Sequence, residues 1–343
     1  MLNTKYTQGI YIEEIRKEIM KNYCTLFDSN YIMRGLAMYN SLRRHSKDSH
    51  LYIFAFDDIC YNKLKELELL NVTVISLKEF EDKELLKVKP TRTIAEYCWT
   101  STPSTILYCI EKYELESCTY VDADLYFFSN PDVLIDEMEN ANKSVLITNH
   151  RYTLEYDQSA TSGVYCVQFM TFKNDIKGLE VLKWWRKACI DWCYARYEDG
   201  KFGDQKYLDN WPNQFEGVHE LQNLGGGVAP WNIQQYIVDK DLKCKEINTN
   251  INFNIIFYHF HNFKIFKNRY YTCGFYNLNS QVIELIYMEY IRELINIKEK
   301  KFNNLNHYDF KKDLTKRDIV FNTMRVLKSN LIGKNFFRNI HKY

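Results

Sequence analysis

The chain has 343 residues, 46% of them hydrophobic, and a net charge of +1, enough for one large or two ordinary globular domains. No stretch approaches the roughly 18–20 apolar residues of a membrane span, and Glu13, Glu14, Arg16, Lys17 and Glu18 stand where a secretory leader would be apolar. Ten cysteines are scattered without a CxxC pair, which argues for free thiols in a reducing cytoplasm and against a disulfide framework or a zinc site.

Residues 22–28 read as a first strand ending at a polar turn, and a helix follows from Tyr31 with Ile32, Leu36, Tyr39 and Leu42 at helical spacing. Residues 50–56 are a second buried strand stopped by Asp57-Asp58, residues 61–70 a helix and residues 72–75 a third strand. A helix over 96–113 is expected to break or kink at Pro103. Strands over 117–121, 144–148 and 163–172, a helix over 178–194, and a strand over 255–258 leading into His259-Phe260-His261 complete the regular part. Residues 200–227 are loop-rich and contain Gly225-Gly226-Gly227, which lacks the Lys-Ser/Thr of a phosphate loop and reads as a loop that lets a sugar approach closely.

Alternating strands and helices of this length predict a parallel sheet with helices on both faces, and ligands in such sheets bind beyond the carboxyl ends of the strands. Phe27, Asp57 and Asp122 all fall on that edge. Asp122-Ala123-Asp124 directly follows the strand over 117–121. In an extended chain residues i and i+2 point to the same side, so the two carboxylates are expected to share one hard cation whose open positions take phosphate oxygens. A capping or turn pair of aspartates would look the same locally, so the other segments must decide.

Three of them do. They are Gly203-Asp204-Gln205, the triple glycine leading to Trp231-Asn232, and Tyr258-His259-Phe260-His261 with Lys264 beyond it. Together with Asp122-Ala123-Asp124, and over roughly residues 22–265, the chain resembles the GT-A-fold glycosyltransferases, in particular the family 8-like retaining group. The resemblance implies a GT-A type α/β fold, a Rossmann-like mixed sheet flanked by helices, with Asp122 and Asp124 binding Mn²⁺ (or Mg²⁺). It implies a third metal ligand late in the domain, for which His259 aligns best and His261 is the alternative, and a phosphate contact from Lys264. The family's Gly and Lys-Pro-Trp after the histidine are replaced here by Asn262-Phe263-Lys264-Ile265-Phe266. Gln205 is then the polar group beside the reacting sugar and Asp204 a sugar-hydroxyl contact, with Asp204 also placed to cap a helix. An inverting reaction would instead need a carboxylate base, for which Asp157, Glu198 and Asp204 are candidates. Thr25, Leu26, Phe27 and Ala123 would line the donor and Asp57 or Asp58 would meet its base or ribose; Arg92, Trp99, Thr100 and Ser104 are further candidates.

The expected donor is a nucleotide-diphosphate sugar, UDP-sugar before GDP-sugar, and the acceptor a glycan or lipid-linked sugar of an envelope or surface polysaccharide. From Lys298 to Tyr343 there are 12 Lys/Arg and 4 Asp/Glu, while the body before it is net −7. With Ile319, Met324, Leu327, Leu331 and Phe336-Phe337 among its cations, this tail reads either as a membrane-surface helix or as a solvated terminal helix, and no nucleic-acid module is present. The expected division is a catalytic domain over 1–270 and a basic helical extension over 271–343, in a cytoplasmic protein whose tail, read as a membrane-surface helix, would touch the inner membrane face peripherally. Two rivals stand beside this reading. One is a haloacid dehalogenase-type phosphatase, whose first motif is also Asp-x-Asp; the other is a GT-A domain that binds nucleotide or glycan without turnover.

Overall fold

The computed structural model describes residues 20–266, 270–302, 310–311 and 338–339. Its first half alternates strand and helix: β1 (Lys21–Phe27), α1 (Ile32–His45), β2 (Ser49–Ala55), α2 (Asp58–Glu66), β3 (Val72–Ser76), α3 (Ile94–Tyr113) and β4 (Ser117–Val121). Then come β5 (Leu125–Phe127), α4 (Asp132–Asn140), β6 (Val145–Asn149), β7 (Tyr165–Lys173), α5 (Ile176–Asp191), β8 (Val218–Glu220), β9 (Phe257–His259) and α6 (Met288–Lys301).

Seven strands form the main sheet in the order β3-β2-β1-β4-β7-β6-β8. β1 runs parallel to both β2 and β4, so the chain leaves one side of β1 and returns on the other. That reversal opens a crevice at the carboxyl ends of β1 and β4, where ligands of α/β sheets bind. The expected α/β class with a mixed sheet is borne out, but the sheet is not uniformly parallel: β7 is antiparallel to both β4 and β6.

Alternation along the strands feeds two cores. Tyr23, Phe27 and Ile53 pack on one face with α1, α2, α4 and α6, whereas Cys24, Leu26, Tyr52 and Phe54 pack on the other with α3 and α5. Such period-two division is what a sheet covered on both sides requires. α6 belongs to the first core, with Tyr290, Ile291 and Leu294 fully buried, so the chain beyond residue 270 contributes to the packing of the sheet.

Several local expectations are corrected. Pro103 does not interrupt α3, which runs unbroken from a Thr93/Glu96 capping box to Tyr113. Its first turn is fixed by that reciprocal cap. Asp57 is an N-cap: its Oδ1 accepts from the Cys60 amide at 2.6 Å and its Oδ2 from the Ser29 amide at 2.9 Å, so α2 begins at Asp58 rather than Tyr61. The cysteines, scattered in sequence, are less so in space. Cys24, Cys109 and Cys118 come from three elements and place their sulfurs within 4.8 Å of one another in the core. Among the described residues no helix is long and apolar enough to cross a membrane. Ile319, Met324, Leu327, Leu331 and Phe336-Phe337 of the basic tail, like Glu13 to Glu18, lie outside the described residues.

Candidate active site

A cavity of about 1000 Å³ opens at the carboxyl ends of β1 and β4, and Asp122, Ala123 and Asp124 line it. The two aspartates do not converge by strand alternation. The strand ends at Val121, and Asp122 to Leu125 form a turn closed by the Leu125 amide on the Asp122 carbonyl at 3.2 Å. β5 then leaves the turn and pairs antiparallel with β9, in a register that sets Leu125 opposite His259. The Phe260 amide also bonds the Asp124 carbonyl at 3.0 Å. A histidine some 130 residues away is thereby carried to the acidic turn.

His259 Nε2 lies 3.1 Å from Asp124 Oδ1 and 3.8 Å from Asp122 Oδ2, and the ligand atoms of all three residues lie within 4.8 Å of one another. His261 also lines the cavity, but its Nδ1 is engaged with the Tyr276 hydroxyl at 2.9 Å and it is not part of this triad. Of the two expected histidines, the geometry brings His259 to the carboxylates.

The electrostatics separate these groups. Burial raises the Asp122 carboxyl, and with Asp124 close by it reaches about 6 despite the opposing pull of His259. Burial acts on Asp124 too, but the His259 charge and hydrogen bond outweigh it and bring it to about 2. Burial works against the His259 cation, yet Asp124 holds its pKa well above the usual histidine range. His261, desolvated and beside that cation, is lowered to about 4. A proton on His259 thus partly balances the pair of carboxylates.

Asp204 and Gln205 both line the cavity. Asp204 is 5% exposed, and burial followed by repulsion from Asp122 lifts its carboxyl to about 8, so it is largely protonated at neutral pH. It does not cap the short 3₁₀ turn that follows, whose N-cap is Gln205; its carbonyl instead accepts from Trp185 Nε1 at 2.9 Å. Gly203 just before it has φ +53°, and a β-carbon there would meet the Trp99 ring at 3.4 Å. Glycine suits this approach because it accepts the left-handed backbone without penalty. Gln205 donates from Nε2 to the Ser162 carbonyl at 2.7 Å.

Other expected residues divide. Leu26, Phe27, Trp99 and Lys264 line the cavity; Thr25, though fully buried, does not. Asp57 and Asp58 lie around a separate, smaller hollow with Phe56 and Lys89. Thr100 bonds the Glu96 carbonyl, Ser104 receives Arg186, and Arg92 reaches the Ile190 carbonyl, so these three serve packing and capping. Gly225-Gly226-Gly227 is absent from the cavity wall, and its close approaches are internal, to the Asn254 carbonyl, Leu221 and Thr148. Of the alternative base candidates, Asp157 and Glu198 do not line the cavity.

The structure adds residues that sequence reasoning passed over. Asp28, Asn30 and Tyr31 stand at the end of β1, and Arg34, 4% exposed, reaches the cavity from α1. Arg34 donates to the Phe263 carbonyl at 2.8 Å, and its charge helps to depress Asp124. Trp231, from the triple-glycine segment singled out in the sequence, joins His150, Tyr152 and Tyr276 in an aromatic wall, in which Tyr152 stacks on His150 at 4.4 Å. A sequence signal for Arg34 existed: a cation in the first turn of α1, just after the end of β1, where a helix N-terminus favours acidic rather than basic side chains.

No family model matches the chain. It is 33% identical over 283 residues to the uncharacterized protein YfnD of Bacillus subtilis (strain 168), spanning 80% of this chain and 88% of that protein. To the uncharacterized protein YfnF of the same organism it is 30% identical over 251 residues, 71% of this chain and 82% of that one. The chain belongs to the family of these two proteins. Among solved structures it resembles mouse xyloside xylosyltransferase 1 in its apo form, with a TM-score of 0.43 and 14% identity over 71% of this chain and 98% of that one. It also resembles the galactosyltransferase LgtC in complex with donor and acceptor sugar analogs, at TM-score 0.44 and 11% identity over 80% and 95% of the two chains. The apo form of GlyE from Streptococcus pneumoniae TIGR4 gives TM-score 0.45 and 14% identity over 82% and 64%.

Proposed function

We propose that this protein is a metal-dependent GT-A-type glycosyltransferase that moves a hexose from a nucleotide-diphosphate sugar to a glycan or lipid-linked acceptor. The observation that carries the reading is the meeting of Asp122, Asp124 and His259 in one cavity at the sheet's carboxyl edge. Two carboxylate oxygens and an imidazole nitrogen suit Mn²⁺, and Mg²⁺ less closely. When bound, such an ion supplies the charge that neutralises the departing diphosphate.

The chain's own residues take the remaining work. Arg34 and Lys264, both on the cavity wall, are placed to add positive charge on the diphosphate side. Protonated Asp204 offers a sugar hydroxyl both a donor and an acceptor, which an ionised carboxylate does not. Gln205 beside it is the polar group for the anomeric centre, in keeping with retention of configuration. Leu26, Phe27 and Tyr31 form the base end, while the aromatic wall of Tyr152, Trp231 and Tyr276 gives an acceptor ring surfaces to lie against. UDP-sugar is the proposed donor and the cytoplasm the proposed location. The proposed role of the basic tail is peripheral contact with anionic membrane, to be tested by vesicle binding after deletion of 300–343.

The decisive test is calorimetric binding of UDP and GDP, with Mn²⁺ or with EDTA, to wild type and Asp124→Asn. UDP binding that needs both the metal and Asp124 is the expected result. No nucleotide binding under any of these conditions would overturn the reading.

A further inference from the structure

Gln168 stands in the middle of β7, fully buried between the core residues Val167 and Phe169. A glutamine is costly there, because a buried amide must recover the hydrogen bonds it gives up to water. Its Oε1 does so at one point only, 2.8 Å from His259 Nδ1. Its Nε2, packed against Gly227, finds no partner among the described residues. The same residue's backbone carbonyl accepts the Asp122 amide at 3.0 Å. One residue therefore touches both halves of the acidic triad, and its side chain makes a single directed contact.

We propose that Gln168 is a positioning residue that sets the tautomer of His259. A carbonyl oxygen only accepts, so Nδ1 must carry hydrogen, and in the neutral ring the lone pair is then left on Nε2. Nε2 is the nitrogen that faces Asp124 and Asp122. The opposite tautomer would aim an N–H into the space between the carboxylates, where a cation would otherwise sit. This inference rests on the cation reading of the triad given above for its consequence, but the tautomer itself belongs to the metal-free protein once His259 has given up the proton it holds at neutral pH. Outer contacts of this kind commonly change metal affinity by about 10–100-fold when removed.

The experiment compares wild type with Gln168→Glu, whose ionised carboxylate only accepts, and Gln168→Met, a near-isostere without the acceptor. Two readouts are taken: Mn²⁺ affinity by calorimetry without nucleotide, and the ring ¹⁵N spectrum of His259 in metal-free protein, recorded at alkaline pH where the ring has lost the proton it holds at neutral pH, and assigned by its loss in His259→Asn. Wild type and Gln168→Glu should show hydrogen on Nδ1 and a bare Nε2, whereas Gln168→Met should shift hydrogen toward Nε2 and bind Mn²⁺ about 10–100-fold more weakly. Hydrogen on Nε2 of the deprotonated, neutral ring in wild type would overturn the proposal, as would an unchanged tautomer in folded Gln168→Met. Should Gln168→Met fail to fold, the spectra of wild type and Gln168→Glu still decide the matter. Absence of Mn²⁺ binding by wild type would sink the cation reading alone, with the ring spectrum still judging Gln168.

Discussion

His259 Nε2 sits 3.1 Å from Asp124 but 3.8 Å from Asp122, and this closer contact, with Arg34 beside it, holds Asp124 low while burial pushes Asp122 up, to about 6. A cation entering the triad must displace the His259 proton at neutral pH and, below pH 6, the Asp122 proton as well. Mn²⁺ affinity should therefore rise with pH, with close to two protons released per ion below pH 6 and close to one above it. Calorimetry in buffers of different ionisation heat measures this release directly. Asp122→Asn should erase the step near pH 6, and a pH-independent affinity would contradict the assignment.

Asp204 is the second group whose protonation is set by the fold. Its pKa is raised from 3.8 to about 8, so the folded protein holds a proton that the unfolded chain releases. Its contribution to stability is fully present below pH 4 and is lost progressively as pH rises from about 4 to about 8. Asp204→Asn, isosteric and uncharged, should stabilise the protein at pH 8 relative to wild type, with the difference vanishing near pH 4. Thermal melts across that range read the crossover. The same variant should lower the transfer rate while leaving UDP affinity nearly intact, because the proposed contact is to the sugar.

Local pattern made β1 and β4 legible, since each is an apolar run halted by acidic residues, and it placed Asp122 and Asp124 on the correct edge. It did not show that β7 runs antiparallel, because a strand buried on both faces reads alike in either direction. The family resemblance made Asp57 or Asp58 a donor contact; a strand-end aspartate has two uses, and only the position of the Cys60 amide selects the cap for Asp57. His259 was found through its motif, but the β5–β9 pairing that delivers it is a long-range register that no periodicity carries. Gln168 was invisible for a related reason: one polar residue in an apolar strand has no pattern, only a partner.

Asp57 offers a direct contrast with the triad. Removing its carboxylate in Asp57→Ala leaves the amides of Cys60 and Ser29 without acceptors, which should cost about 1–2 kcal/mol. Because Asp57 lies outside the main cavity, metal-dependent UDP binding should be unchanged in the folded variant. Denaturant unfolding and calorimetry separate the two quantities. A large loss of UDP affinity without loss of stability would return Asp57 to the donor site.

The last prediction concerns how the site is braced from behind. Phe260 follows His259, bonds the Asp124 carbonyl through its amide, and stacks on Tyr290 of α6 with ring centroids 3.8 Å apart. Tyr290 is fully buried, so α6 presses on the segment that fixes the distance between His259 and Asp124. Tyr290→Ala should cost about 3–5 kcal/mol in stability, the usual range for deleting a buried aromatic ring. Tyr290→Phe keeps the stacked ring and should retain most of that stability. If α6 braces the site, Mn²⁺ affinity measured well below the melting temperature should fall in Tyr290→Ala and persist in Tyr290→Phe. Equal affinity in both would mean that the β5–β9 pairing alone holds the triad, with α6 acting only on the core.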